Sequence, residues 1–263
     1  MAKVCKSLAV LALAGAGMLL VGAAPVNAAT VQPGTGYWLA GADGGVFAFD
    51  APFYGSGTTA PATCGFSPQP PSTLNATLGC DAIASTPDGS GYWLLNAYRW
   101  ATAFGQAGLP DQNGCTGLNG AKGSWAGIAS SPTGNGFFLA SSNGAVVGCG
   151  DAVPLGGLTT QALNATVVGM AATPDGKGYW LVASDGGVFA FGDAAYDGSM
   201  GGTRLNAPVV GMAATPNGKG YWLAAADGGV FSFGSAPFEG SMGGKRTNAA
   251  IVGIATHATP VPG

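Results

Sequence analysis

Residues 167–208 read VVGMAATPDGKGYWLVASDGGVFAFGDAAYDGSMGGTRLNAP, and residues 209–250 read VVGMAATPNGKGYWLAAADGGVFSFGSAPFEGSMGGKRTNAA. The second stretch repeats the first at an offset of 42 residues, as the step from Gly178 to Gly220 shows. A period of this length with several short strands in each copy is typical of a β-propeller. The repeat therefore predicts an all-β protein made of similar small sheets.

Each copy contains four apolar runs that are separated by turn signals. In the first copy the runs are 167–173, 178–184, 188–191 and a weaker, glycine-rich run at 196–200. The Pro174-Asp175-Gly176 sequence predicts a turn, and Asp185-Gly186 predicts a type I′ hairpin. We therefore expect a blade of four antiparallel strands in each unit.

The GYWL signature predicts five units. It begins at Gly36, Gly91, Gly178 and Gly220, and a variant, Gly-Phe-Phe-Leu, begins at Gly136. The first unit lacks a preceding first strand, whereas Ile251–Thr256 has a first-strand sequence with no unit after it. We expect this C-terminal strand to join the N-terminal blade and close a five-bladed propeller over residues 29–263, which removes open sheet edges. The alternative is an open array that closes by forming oligomers; we expect a monomer.

Residues 1–28 have the pattern of a secretory signal peptide. Lys3 and Lys6 precede an apolar stretch at 8–21, and Val26-Asn27-Ala28 places small residues at the expected cleavage site. We therefore expect a secreted or cell-surface protein with no stable membrane span after cleavage. The remaining chain has seven basic and twelve acidic residues, which argues against nucleic acid as a partner.

Four cysteines remain after this cleavage: Cys64, Cys80, Cys115 and Cys149. An even number of cysteines in an exported chain predicts disulfide bonds. Cys64–Cys80 is the first choice, because it closes the insertion that lengthens the first step between units to 55 residues, and Cys115–Cys149 follows by elimination. No CxxC pair is present and His257 is the single histidine, so we expect no metal and no cofactor.

Features that recur in every unit are most simply part of the scaffold. The Tyr-Trp pairs, which begin at Tyr37, Tyr92, Tyr179 and Tyr221, are expected to pack between blades, with repeated ligand stacking as the alternative. The Asp-Gly-Gly sequences that begin at Asp43, Asp185 and Asp227 are interpreted as turn chemistry.

One asparagine also recurs in each connection between successive units. These residues are Asn75, Asn119, Asn164, Asn206 and Asn248. Their amides cap the connecting loops in one interpretation. In the other, they form a series of polar groups on one face that binds a ligand.

The second unit departs most from the repeat. Tyr98-Arg99-Trp100 replaces the expected Asp-Gly-Gly, and Trp125 replaces the first valine of a first strand. Because hairpins and connections share one face of a propeller, these side chains should lie near the asparagines and form a platform for a sugar or a peptide. The alternative is that this unit has diverged from the repeat without a function, and that Trp100 fills the space next to glycine residues.

Catalysis has little support in the sequence. A glycosidase requires two carboxylates across the substrate, and Glu239 is the only glutamate. Asp81 replaces a first-strand valine and is the best single carboxylate for a central channel, but no partner is evident. No Ser-His-Asp arrangement and no phosphate-binding loop is present.

The sequences GKGYWLVASDGGVFAFGDA and GSMGG resemble the tandem repeats of secreted actinobacterial β-propeller proteins. The resemblance is close over 167–253, fair over 36–57 and poor over 97–150. It implies an exported β-propeller repeat, sometimes joined to cell-wall or hydrolase modules, and no settled activity. The number of blades is similar to that of tachylectin-like sugar-binding propellers, but a shared fold does not establish a shared function.

These observations predict an exported, non-catalytic binding propeller. The expected ligand is a cell-wall or environmental glycan, or an extracellular protein, bound through the face that carries residues 98–100 and Trp125. The alternatives are a degenerate hydrolase that uses Asp81 and a structural surface protein with no specific ligand.

Overall fold

The computed structural model describes residues 36–43, 45–55, 80–96, 101–107, 115 and 123–256, with the backbone alone at 80–81, 95–96 and 101–102. The predicted signal peptide, residues 1–28, lies outside these residues. The described part consists of β-strands joined by turns and loops, and it contains no helix. The strands are β1 (Tyr37–Gly41), β2 (Val46–Phe49), β3 (Cys80–Ser85), β4 (Gly91–Asn96), β5 (Ala101–Gly105), β6 (Trp125–Ser130), β7 (Phe137–Ser141), β8 (Val146–Cys149), β9 (Val167–Ala172), β10 (Gly178–Ala183), β11 (Val188–Gly192), β12 (Val209–Ala214), β13 (Gly220–Ala225), β14 (Val230–Gly234) and β15 (Ile251–Thr256).

The strands form five antiparallel sheets of three strands each. Four sheets use consecutive strands, with orders β3-β4-β5, β6-β7-β8, β9-β10-β11 and β12-β13-β14, and the fifth has the order β15-β1-β2. Strand β15 pairs with β1 from Tyr37 opposite Thr256 to Gly41 opposite Ile251. The prediction that the C-terminal strand completes the N-terminal unit is therefore confirmed.

The prediction of a fourth strand is wrong for the third, fourth and fifth units, and in the first two units this run lies at least partly outside the described residues. The run at 196–200 forms no strand, and Gly198 within it adopts a φ of +126°, which is incompatible with a regular strand. Side chains hold this outer segment instead. The Trp180 indole donates to the Ala195 carbonyl at 2.6 Å, and the Tyr221 hydroxyl of the next unit donates to the Gly198 carbonyl.

The apolar core lies between successive sheets. Trp38, Trp180 and Trp222 are each fully buried, and each ring packs on the tyrosine that opens the next unit. The ring centroids are 5.2 Å apart for Trp38 and Tyr92, 5.5 Å for Trp180 and Tyr221, and 5.7 Å for Trp222 and Tyr37. The last contact joins the C-terminal sheet to the N-terminal one. Core packing of the Tyr-Trp pairs is confirmed.

The first strands β3, β6, β9, β12 and β15 lie side by side, and β15 contacts both β12 and β3. Glycine permits this close approach. A Cβ atom on Gly169 would lie 2.8 Å from the Gly211 Cα, and one on Gly211 would lie 3.1 Å from the Gly253 Cα. A side chain at Gly169 would push β9 and β12 apart.

The hairpin between β10 and β11 forms where the sequence predicts it, but with a different turn. Gly186 has a φ of +82°, whereas Asp185 is not among the residues with positive φ, so a type I′ turn is excluded. The Gly186 N–H donates to the Ala183 carbonyl at 2.9 Å, and the Ala183 N–H donates to the Gly187 carbonyl at 2.8 Å. A type I turn followed by a left-handed glycine accounts for this pattern.

One of the two predicted disulfides is present in the described residues. Cys115 is bonded to Cys149, which is fully buried at the end of β8. The bond ties the connection before β6 to the sheet that β6 begins. The predicted Cys64–Cys80 bond lies outside the described residues, because Cys64 and the Cys80 side chain are not part of them.

Candidate functional site

The hairpins between second and third strands, together with the connections that lead into each first strand, form one end of the sheets, which we call the hairpin face. The Ser184 N–H donates to the Thr166 carbonyl at 2.9 Å, and the Val209 N–H donates to the Ser184 carbonyl at 3.0 Å. The hairpin at Asp185 is therefore held between two connections. The equivalent bonds of the next unit, from Ala226 to Pro208 and from Ile251 to Ala226, are 2.9 and 3.1 Å long.

Two neighbouring pockets flank Asp185 on this face. Their volumes are about 260 and 520 Å³, and Asn164, Asp185 and Gly202 line both. The smaller pocket is also lined by Gln161, Ala162, Leu163, Ala165, Ala183, Gly187, Phe189 and Gly201. The larger is also lined by Ser184, Thr203, Leu205, Asn206, Ala207 and Pro208. Two of the predicted asparagines, Asn164 and Asn206, thus lie beside the same hairpin.

Asp185 serves as a turn residue and still presents a carboxylate to the pockets. Its Oδ1 accepts a hydrogen bond from the Gly187 N–H at 2.9 Å, as the turn interpretation predicts. The side chain is exposed, and its Oδ2 has no hydrogen-bond partner among the described residues. One carboxylate oxygen is therefore available to accept a bond from a ligand hydroxyl.

The smaller pocket combines polar groups with an apolar wall. Leu163 and Phe189 are both partly buried and belong to the cluster that packs between the third and fourth sheets. Asn164 and Gln161 are exposed beside them. A carboxylate, two amides and an aromatic ring provide the donors, acceptors and apolar surface that a sugar ring requires.

The next unit repeats the same arrangement. Asp227 Oδ1 accepts from the Gly229 N–H at 3.0 Å, and Asn206 and Asn248 lie in the connections on either side of this hairpin. In the first unit Asp43 Oδ1 accepts from the Gly45 N–H at 2.9 Å. The hairpin face therefore presents a comparable carboxylate in at least three units.

The backbone that frames these sites is also repeated. The Met200 N–H donates to the Gly186 carbonyl at 2.9 Å, the Met242 N–H to the Gly228 carbonyl at 2.9 Å, and the Leu158 N–H to the Gly144 carbonyl at 2.8 Å. These bonds fix the start of each connection against the preceding hairpin. The pocket walls are thus set by the repeat and not by one loop.

Trp125 lies in the core between the second and third sheets. It is 8% exposed and packs in the cluster that contains Trp93, Phe137 and the disulfide-bonded Cys149. This position gives its indole a packing role and leaves little of its surface for a ligand. The other members of the predicted platform, Tyr98, Arg99 and Trp100, lie outside the described residues, as do Asn75 and Asn119.

A third cavity, of about 160 Å³, lies where the five first strands end. Its walls include Met170, Met212 and Ile254, and its rim includes Thr173 and Thr215. The Thr173 hydroxyl donates to Asp175 Oδ1 at 2.8 Å and accepts from the Gly178 N–H at 2.9 Å, so it serves the turn. This cavity holds no carboxylate among its described walls.

The backbone position of Asp81 coincides with a β-bulge. The register of β3 with β4 shifts between Cys80 and Ala82, and β12 shifts in the same way around Val210. Val168 and Val210 occupy this position in other units and line a cavity of about 10 Å³ between the first strands. The Asp81 side chain lies outside the described atoms, and its role in a channel stays a prediction.

The opposite end of the sheets, which we call the turn face, carries carboxylates that stabilise turns. The Thr86 hydroxyl lowers the pKa of Asp88, and the Thr133 hydroxyl lowers the pKa of Asp151. The Lys177 backbone N–H, followed by the Thr173 hydroxyl, lowers the pKa of Asp175. Asp88 and Asp175 accept hydrogen bonds within their own turns, and Asp151 accepts one from Thr133 in the neighbouring turn.

Two further properties concern only the described part of the chain. Its His, Cys, Asp and Glu side chains form no group of three or more that could hold a metal ion. None of its segments is a helix long and apolar enough to cross a membrane.

No protein-family model matches this chain, and no curated protein is similar to it. Among solved structures, hydrazine synthase of Kuenenia stuttgartiensis is similar at 13% identity with a TM-score of 0.34, over 60% of this chain and 45% of that one. A chain of a nidogen/laminin complex is similar at 13% identity with a TM-score of 0.46, over 87% of this chain and 100% of that one. Likenesses at this level say nothing about what this chain binds.

Sequence reasoning and the described site overlap in part. The asparagines Asn164 and Asn206 were predicted as ligand candidates, and they line the pockets around Asp185. Asp185 itself was assigned to the turn alone, and Phe189 was assigned to a strand. Their spacing in the sequence could have identified Asp185 and Phe189 as neighbours, because Phe189 lies two residues after the Asp-Gly-Gly turn in the same hairpin.

Proposed function

We propose that this chain is an exported five-bladed β-propeller that binds a glycan through its hairpin face without catalysing a reaction on it. Five three-stranded sheets, the pairing of β15 with β1 and the contact of β15 with β3 support the closed, five-bladed arrangement. The propeller brings equivalent hairpins to one face, which is how such folds present repeated ligand sites.

The pair of pockets around Asp185 carries the proposal. A carboxylate with one free oxygen lies between two asparagines, and the ring of Phe189 lines the smaller pocket. The volume of about 260 Å³ suits one sugar residue or two. Hydroxyl groups of the sugar would donate to Asp185 Oδ2, and the amides would bind neighbouring hydroxyls in either direction.

Binding without turnover agrees with the chemistry of these pockets. Glycoside hydrolysis needs two carboxyl groups across the scissile bond, and Asp185 is the single carboxylate in the described walls of both pockets. The degenerate hydrolase that uses Asp81 is a separate proposal. An Asp81→Asn change that abolished turnover of a glycan by a folded protein would favour it over the binding function.

A glycan array tests the binding function directly. The chain from residue 29 is compared with a variant that carries Asp43→Asn, Asp185→Asn and Asp227→Asn. Asparagine keeps the turn, because Asn143 occupies this place in the third unit and its Oδ1 accepts from the Ala145 N–H at 3.4 Å. We expect the loss of charge-assisted bonds to weaken glycan binding about ten-fold or more.

The matched control removes three carboxylates from the turn face: Asp88→Asn, Asp151→Asn and Asp175→Asn. Asn217 occupies the place of Asp175 in the next unit and accepts from the Lys219 N–H at 2.9 Å, so this change also has a precedent in the chain. We expect the control to bind as the unchanged protein does. Equal losses in both variants, or no glycan bound at all, would refute the proposed function.

The outer rim favours an extracellular protein as the second candidate ligand. Phe53, Tyr196 and Phe238 occupy equivalent positions in the outer segments and are 59%, 61% and 61% exposed. Exposed aromatic residues at a repeated position are typical of protein-binding surfaces. A Tyr196→Ser/Phe238→Ser variant that loses a defined partner, while the hairpin-face variant keeps it, would support this candidate over the glycan.

A further inference from the structure

The hairpin face and the turn face differ in charge. The described turn face carries five carboxylates and two ammonium groups, from Asp50, Asp88, Asp151, Asp175, Asp193, Lys177 and Lys219. The described hairpin face carries three of each sign, from Asp43, Asp185, Asp227, Arg204, Lys245 and Arg246. The turn face is therefore negative, whereas the hairpin face carries equal numbers of both signs.

The cations that the structure describes on the hairpin face lie in two successive connections, 203–208 and 245–250, which we call the cationic connections. Arg204 and Arg246 stand at the place that Ala162 holds in the connection before the fourth unit. Lys245 stands at the place of Gln161. Because the same loop forms with alanine and glutamine at these positions, the fold does not require the charges.

No carboxylate in the described part of the chain neutralises these three cations. The single ion pair among the described residues joins Lys177 to Asp175 at 3.5 Å, and it lies on the turn face. Arg204, Lys245 and Arg246 are exposed, and no described carboxylate lies within 4.0 Å of them. Their charges are therefore free to act on a ligand.

We propose that the ligand of the hairpin face is an anionic polysaccharide, whose carboxylate or phosphate groups contact Arg204, Lys245 and Arg246. This inference rests on the proposed glycan-binding function and names the class of glycan. The pockets around Asp185 and the exposed carboxylate of Asp227 take hydroxyl groups of the sugar residues, and the cationic connections on either side of Asp227 take the anionic groups. Arginine suits this purpose, because its planar guanidinium binds a carboxylate or phosphate through two parallel hydrogen bonds.

The charge of the turn face supports the same ligand. A polyanion is repelled by the five carboxylates at that end and attracted by the free cations at the other, so the protein approaches with its hairpin face first. The attraction between these charges acts over roughly 10 Å at 0.1 M salt and is screened as salt is added. Binding should therefore weaken as salt concentration rises.

Binding to three defined polysaccharides tests the inference: polygalacturonate, which carries carboxylates, a phosphorylated mannan, which carries phosphates, and neutral dextran. The full mature chain is compared with a Lys245→Gln/Arg246→Gln variant. The matched control, Lys177→Gln/Lys219→Gln, removes the same two charges from the turn face. Circular dichroism and thermal unfolding establish that all three proteins are folded.

We expect the Lys245→Gln/Arg246→Gln variant to bind one or both polyanions about three- to ten-fold more weakly, while the turn-face control binds as the unchanged protein does. The polymer that shows the loss identifies carboxylate or phosphate as the preferred group. Equal losses in both variants would overturn the inference, because they would reflect net charge alone. Dextran bound as well as both polyanions would also overturn it while leaving the glycan-binding function intact, whereas no binding to any glycan would refute both.

Discussion

The tyrosine hydroxyls of the Tyr-Trp pairs join four units to the outer segment of the unit before each. The Tyr179 hydroxyl donates to the Gly156 carbonyl at 2.6 Å and accepts from the Leu155 N–H at 2.9 Å. The Tyr37 hydroxyl donates in the same way to the Gly240 carbonyl, which links the first unit to the fifth. A single side-chain oxygen thus satisfies two backbone groups and holds a segment that forms no strand.

These tyrosines make the fold sensitive to alkali. Burial raises the pKa of Tyr37, Tyr92 and Tyr221 to about 12, from an ordinary value of 10.0. The folded protein therefore holds these protons more tightly than the unfolded chain does. The resulting stability is complete below about pH 10 and is lost as the pH rises toward 12.

We expect the urea midpoint of unfolding to fall steeply in this alkaline range. A Tyr221→Phe variant should be less stable than the unchanged protein at neutral pH, by about 1–2 kcal/mol, because Gly198 and Asp197 lose their hydrogen bonds to the hydroxyl. It should also lose less stability on going to high pH. Tyr196→Phe is the control, since that side chain is 61% exposed. A urea midpoint that does not fall between about pH 10 and pH 12 would contradict the stabilising role of these tyrosine hydroxyls.

At the scale of the strands, the close approach of the first strands depends on one glycine position. Gly127, Gly169, Gly211 and Gly253 occupy it in four strands, and Ala82 occupies it in β3. The recurrence of VVGMAAT and its variants predicted these strands correctly. The steric role of the glycine could not be predicted, because a repeated glycine equally fits a bulge or a bend.

A methyl group at this position should destabilise the protein. In a Gly169→Ala variant the new Cβ would lie 2.8 Å from the Gly211 Cα and 3.2 Å from the Met212 backbone nitrogen, so β9 and β12 would have to separate. We expect the free energy of unfolding to fall by about 1–3 kcal/mol in chemical denaturation.

The control for this prediction is Ala190→Ser in β11. Ala190 is exposed, and Ser232 occupies the same place in the next unit, so the change should leave the midpoint within experimental error. Equal midpoints for Gly169→Ala and the control would show that the first strands have room for a side chain.

At the scale of the molecule, the repeat allowed much of the architecture to be predicted. The offset of 42 residues located the units, and the leftover sequence of β15 predicted its pairing with β1. Two features depended on contacts that a repeat does not reveal. The run at 196–200 has the composition of a weak strand but is held by Trp180 and Tyr221 in an irregular path. Trp125 departs from the repeat, which suggested a ligand-binding role. In the structure it belongs instead to the apolar cluster that contains Trp93 and Phe137.

In the proposed propeller the pairing of β15 with β1 closes the molecule, so its removal should change the state of association. A chain that ends at Ala250 lacks β15, so the N–H and C=O groups of β1 that face it lose their partners. It also exposes Trp222 and Tyr37, which are fully buried beside Ile251. An exposed edge strand next to an apolar surface pairs with other chains.

We expect light scattering to show a monomer for the mature chain and oligomers or aggregates for the chain that ends at Ala250. A chain that ends at Thr256 keeps β15 and is the matched control, which should stay monomeric. A truncated chain that remains a folded monomer would show that β15 is not needed for closure. If the chain from residue 29 is itself an oligomer, the result would support the open array that closes by forming oligomers. Closure within one chain leaves no first strand free to pair with a second chain.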